Sequence, residues 1–183
     1  MIKELSELGK FLRAGKADDA WVHDALKEET ISMELVIMPD GAFHGIQLIE
    51  NKMTPAEAIT AKKGKARLLL DKPEEVLCYG GNISKKKHKL FLEKIALYKA
   101  LDELAPVIAF YKNNENGLDR ALTEFNVLAT TDDKKVKKKL TGNISFRIYS
   151  ESSRIHEKVN VLQAIIDRYE TTQREQLANN SKK

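Results

Sequence analysis

Lysine is the residue that this 183-residue chain repeats in a pattern able to do chemistry, and that chemistry is phosphate binding. Lys62, Lys63, Lys65 and Arg67 surround Gly64 in one loop, and Lys85, Lys86, Lys87 and Lys89 follow Gly80-Gly81-Asn82 in a second. A third run is Lys134-Lys-Val-Lys-Lys-Lys139. Each cluster falls at the edge of an expected ordered element rather than in a tail. Lysines so placed can neutralise phosphates and release counterions without reading sequence. Glycine beside them lets the backbone approach an anion closely. Asn82 offers both a donor and an acceptor to a base edge, although a turn former or helix cap explains it equally well. The candidate nucleic-acid-binding residues are Lys62, Lys63, Lys65, Arg67, Asn82, Lys85, Lys86 and Lys87.

Other chemistries find no support. His23, His44, His88 and His156 are scattered without partners at metal-ligand spacing, and are expected to be surface or hairpin residues. Ser84 and Ser145 lack a nucleophile-elbow context, and Cys78, in Val-Leu-Cys-Tyr, is expected to be a small core residue. Glu74-Glu75, Asp102-Glu103 and Asp132-Asp133 suit helix ends. No Gly-rich nucleotide loop, helix-turn-helix or aromatic RNA-recognition strand is present. No catalytic residue, metal or cofactor is expected, and the chain is not expected to be an enzyme.

The elements that must hold these loops follow from periodicity. Ile2, Leu5, Leu8, Phe11 and Leu12 make an amphipathic opening helix stopped at Gly15; Lys16 to Glu29 is a turn of helix or a packed loop. Ile31–Met38 and Ala42–Glu50 alternate as strands around Pro39-Asp-Gly41, whose chemistry closes a hairpin. Thr54-Pro55-Ala-Glu57 reads as the start of a short helix. Pro73 with Glu74 and Glu75 opens another, ended by Gly80-Gly81. A long helix is expected from Lys85 to Leu104, with Phe91, Ile95, Tyr98 and Leu101 in one row, Leu90, Leu97 and Leu104 beside it, and Pro106 breaking it. Its lysine-led start carries the wrong charge for the helix dipole, which favours an anionic partner. Leu118–Phe125 is a short helix, Thr130-Thr-Asp-Asp a capping signal, and Gly142–Tyr149 a strand that can join the hairpin. A last helix runs from about Glu157 into a polar tail from Thr171.

The fold class is therefore α+β: a small antiparallel sheet, hairpin about 31–50 plus strand about 143–149, packed with several helices. One nucleic-acid-binding domain is expected over 1–170, with 171–183 a polar tail or linker. Composition agrees, with 42% hydrophobic and 32% charged residues. The net charge of +4 is unevenly spread: residues 1–61 sum to −5 and 62–183 to +9. A polyanion partner for the later part follows, though solvated lysine-rich faces explain charge alone as well. One cysteine allows no internal disulfide, and no apolar run spans a bilayer, so a cytoplasmic chain without membrane contact is expected.

The hairpin Met33-Glu-Leu-Val-Ile-Met-Pro-Asp-Gly-Ala-Phe43, the Lys62-Lys-Gly-Lys-Ala-Arg67 loop, Leu69-Leu-Asp71, Glu74-Glu-Val-Leu77, the lysine-led helix, Gly142-Asn-Ile-Ser-Phe-Arg147 and His156-Glu157 occur in an informative order. The chain resembles the N-terminal region of the large subunit of type I CRISPR surveillance (Cascade) complexes, closest to type I-C. The resemblance implies a non-catalytic domain near the 5′ handle of the guide RNA. It would probe the protospacer-adjacent motif in double-stranded target DNA, aid duplex opening in antiviral defence, and sit among other Cascade subunits. The general division of labour has protein reading the short motif and base pairing reading the rest. Family chains are several times longer, with a C-terminal helical bundle. A protein–protein adaptor, or a large-subunit mimic that regulates or inhibits the complex without reading DNA, is the alternative.

Overall fold

The computed structural model describes residues 23–59 and 66–181. The expected opening helix and residues Lys62, Lys63 and Lys65 lie outside them. The fold is α+β as expected, built on one four-stranded sheet with order β2-β1-β4-β3. Strand β1 spans Leu26–Ile37, β2 Phe43–Glu57, β3 Leu70–Asp71 and β4 Asn143–Ile148. The sheet is mixed rather than wholly antiparallel: β1 pairs antiparallel with β2 but parallel with β4. A parallel pairing needs a long crossover, and residues 58–142, which include most of the helices, supply it.

Both hairpin strands are longer than their alternation predicts. Leu26–Glu29, expected as helix or loop, pair with Glu57–Thr54. Thr54-Pro55-Ala-Glu57 is therefore strand, not a helix start. Proline is tolerated because β2 is an edge strand, where its missing N–H breaks no ladder. The turn behaves as predicted, with Gly41 at φ 92. A Cβ there would strike the Ala109–Phe110 backbone, so glycine is required for space as well as for φ.

Among the described residues six α-helices complete the fold: α1 Pro73–Leu77, α2 Asn82–Leu97, α3 Ala105–Lys112, α4 Leu118–Ala129, α5 Lys134–Lys139 and α6 Val159–Ser181. Helix α2 starts three residues before Lys85 and ends at Leu97, short of the expected Leu104. Pro106 then opens α3 rather than breaking a helix, because proline fits the first turn. Leu97 leaves the expected buried stripe and is 51% exposed. The tail from Thr171 is helical to Ser181, with every residue exposed.

The core gathers Met33, Leu35, Ile37, Ile144, Phe146 and Ile148 of the sheet with Phe91, Ile95, Val107, Phe110 and Phe125 of the helices. Phe146 is its centre, stacked on Phe91 at 6.4 Å and edge-on to Phe110 at 6.0 Å. Such pairs add about 0.5–1.5 kcal/mol to their area burial. By strand alternation Glu34 and Arg147 point the other way, into a buried polar network. The Glu34 carboxylate lies 3.3 Å from Arg147 Nε and 3.0 Å from Arg154 Nε. Arg154 also donates to Glu157 Oε1 at 3.0 Å. His156, expected at the surface, is 1% exposed within this network.

Asp133 fulfils the predicted capping signal, its Oδ1 accepting from Lys135 N at 2.8 Å. Asp133→Ala is expected to cost about 1 kcal/mol, read as a lowered urea midpoint with unchanged slope.

Candidate nucleic-acid interface

Helix α1 ends with Cys78 in the left-handed region at φ 56. Two further positive φ values, Gly80 at 118 and Gly81 at 93, turn the chain back into α2. Open space surrounds the Cβ position of Gly81, so glycine serves the turn there and not a close packing contact. Cys78, expected as core, is half-buried at this cap. Ser84 is buried and donates to the Gly81 carbonyl, which anchors the turn from inside.

The turn delivers four of the candidate residues to one helix end. Asn82 is the first residue of α2 rather than a loop residue, and Asn82, Lys85, Lys86 and Lys87 are all exposed. No side chain caps the helix, and its first turn holds no acid. Among the described residues Asn82 forms no side-chain hydrogen bond and the three lysines form no ion pair. Free N–H groups and the positive end of the dipole therefore coincide with three unpaired ammonium groups. That arrangement holds anions and repels cations. Beneath it, His88 Nδ1 lies 2.7 Å from the Glu75 carbonyl, with its pKa lowered by burial. The Glu75 carboxyl is raised, first by burial and then by Asp71.

Arg67 is placed differently. Its guanidinium lies 2.8 Å from Glu29 and 3.6 Å from Asp71, and donates to Asn143 Oδ1 at 3.1 Å. With its side chain 13% exposed, it ties β1, β3 and β4 together and has little reach left for phosphate. Burial raises the Asp71 carboxyl despite Arg67 beside it. Leu68, Leu69 and Leu70 are buried and hold this segment against the core.

Sequence reasoning did not foresee a groove of about 840 Å³ where the third lysine run meets the sheet. Ser32 sits at a bulge in β1, where one β4 step is matched by two on β1, and bulges re-aim side chains. Its Oγ donates to the Lys139 carbonyl at 2.7 Å. Asn143 Nδ2 donates to the Thr30 carbonyl at 2.8 Å, and Lys72 Nζ to the Thr141 carbonyl at 3.1 Å. These bonds fix the α5–β4 turn and with it Lys135, Lys138 and Lys139. The lysine run was visible in sequence, but the bulge and its partner across the sheet were not.

The sequence profile of the CRISPR-associated protein family Cas_Csd1 matches residues 11–181. The chain belongs to this family. No curated protein matches it. Membership in Cas_Csd1 ties the chain to CRISPR defence. Among the described residues of this Cas_Csd1 chain, no three His, Cys, Asp or Glu side chains gather as metal ligands. Nor is any described helix long and apolar enough to cross a membrane.

Proposed function

We propose that this chain is a non-catalytic DNA-binding domain of the large subunit of a type I CRISPR effector complex, closest to type I-C. In this reading it contacts the duplex at the protospacer-adjacent motif and aids strand opening, beside the guide RNA 5′ handle and other Cascade subunits. One observation carries the DNA contact: the uncapped, acid-free start of α2 presents Asn82, Lys85, Lys86 and Lys87 to solvent, with no side-chain hydrogen bond or ion pair among the described residues. Family membership supplies the CRISPR setting. The lysines grip phosphates, and Asn82 carries the donor and acceptor pair that a two-bond contact to an adenine edge needs.

Band shifts of the assembled complex on motif-swapped duplexes test this. Lys86→Ala should weaken binding to every sequence and reduce the salt slope by about 1, while Asn82→Ala should blunt motif discrimination by about 1–3 kcal/mol. Unchanged discrimination in Asn82→Ala removes Asn82 from base reading. Unchanged affinity when Lys85, Lys86 and Lys87 are all alanine overturns the interface, and favours an adaptor that meets protein instead.

A further inference from the structure

The groove between α5 and the sheet holds four lysines that the α2 interface does not use. Lys72, Lys135, Lys138 and Lys139 line it, from a loop and a helix far apart in sequence. Its two carboxylates neutralise little of that charge. Glu29 is engaged by Arg67 at 2.8 Å. Glu50 is fully exposed and, among the described residues, pairs only with Lys139, at 3.8 Å. Lys72 has a backbone carbonyl as its partner, and Lys135 and Lys138 form no ion pair among the described residues. Lysines in the last turn of α5 suit the helix dipole, but Lys135 in the first turn does not. Local helix chemistry therefore leaves Lys135 unexplained.

The walls narrow the choice of anion. The rest of the lining is Thr, Ser, Asn and Gly with two aliphatic side chains, and it includes no aromatic ring. Proteins that hold unpaired strands offer rings on which bases stack, and this surface offers none. A space of about 840 Å³ also exceeds what one phosphate fills. Lys135 and Lys138 stand three residues apart on one helix face, about 5–6 Å between Cβ atoms, a spacing suited to neighbouring phosphates on one strand. The turn beneath them is already pinned through Ser32, Asn143 and Lys72, so the backbone that carries these lysines is held in place before any ligand arrives.

We infer that this groove is a second nucleic-acid contact, one that takes the phosphodiester backbone of a base-paired segment without reading its sequence. It goes beyond the α2 reading, because it uses other residues and needs no motif. The test is fluorescence anisotropy of the purified 183-residue chain with a labelled random-sequence duplex, titrated over a range of salt. Lys135→Ala/Lys138→Ala is compared with a Lys85→Ala/Lys86→Ala/Lys87→Ala variant, after thermal melts confirm that both fold as the parent does. The groove variant is expected to lose about tenfold or more in affinity and to lower the salt slope by about 1.8. Lys135→Arg/Lys138→Arg should restore both. Parental affinity and slope in the groove variant overturn the inference, whatever the α2 variant does. So does unchanged duplex binding combined with lost co-purification of other complex subunits, which would assign the groove to an acidic protein face. A groove effect without an α2 effect supports this inference and counts against the α2 interface alone.

Discussion

Glu34→Gln is expected to destabilise the fold by about 3–5 kcal/mol, a large share of the roughly 5–15 kcal/mol that holds a domain of this size. Glu34 is 5% exposed, and its carboxylate is shared by Arg147 and Arg154, whose side chains are 17% and 10% exposed. The amide removes the charge but keeps the shape, so two guanidinium groups lose their common counter-ion in a dry place. Arg147 retains Gln47 Oε1 at 2.9 Å and the Glu151 carbonyl at 3.0 Å. Among the described residues Arg154 retains Glu157 alone. The loss should therefore fall hardest on Arg154, which pins the segment between β4 and α6 to the sheet. Urea unfolding of Glu34→Gln checks this, and a cost under about 1 kcal/mol would show that the arginines find other partners or water. Replacing Glu34, Arg147 and Arg154 together by leucine should cost less than the sum of the single changes, because the shared carboxylate and both guanidinium groups leave together, although Glu157 then loses the guanidinium that Arg154 offers it.

Acid should weaken the fold as pH falls below about 6.5. Burial pushes His156 down to about 4, against the pull of Glu157 and with Arg154 adding to the burial. The hydrogen bonds explain why a proton is unwelcome. The Thr54 hydroxyl donates its one proton to Glu157 Oε1 at 2.8 Å, so at 2.8 Å from His156 it must accept from Nε2–H. Nδ1 then carries the lone pair, buried and without a partner. Protonating it creates a donor with nothing to bond.

The unfolded chain takes up this proton near pH 6.5 and the folded chain only near 4. The contribution of His156 is thus fully present above about pH 6.5 and is lost as pH falls toward 4, amounting to about 3 kcal/mol. His88, also lowered by burial, acts in the same direction over the upper part of that window. In Glu157 burial pushes the carboxyl up, but His156, Thr54 and Arg154 together hold it below its ordinary value, which extends the loss to lower pH. Asp71 and Glu75, both raised by burial, oppose it, since they accept protons more readily when folded. Urea midpoints between pH 7 and 4 should fall for the parent and fall much less for His156→Gln, whose amide can still donate to Thr54. A parental curve that stays flat to pH 4.5 would remove His156 from this role.

The hairpin shows how far local pattern reaches. Residues 31–50 were legible because period-two alternation and Pro39-Asp-Gly41 agree with each other. Leu26–Glu29 and Thr54–Glu57 were not, since a Pro directly after Thr is a helix-start signal wherever the strand's edge position is unknown. The end of α2 at Leu97 was hidden for a related reason: the apolar row runs on through Tyr98, Leu101 and Leu104, although the backbone leaves the helix and only the packing continues. His156 and Arg67 carried little local signal, Arg67 having only Asp71 four residues on. Their other partners, Thr54 for His156 and Glu29 and Asn143 for Arg67, are all distant in sequence.

By itself the sequence determined the α+β class, the hairpin turn, the Asp133 cap, the Gly80-Gly81 break and the lysine clusters. Each of these is written in the preferences of a few consecutive residues. Tertiary structure alone decided that β1 and β4 run parallel, that Arg67 is spent on Glu29 and Asp71 while Lys85–Lys87 stay free, and that Lys72 joins α5 across one groove. The physical reason is that charge counts are local, whereas the availability of a charge depends on which opposite charges and carbonyls folding brings within about 4 Å of it.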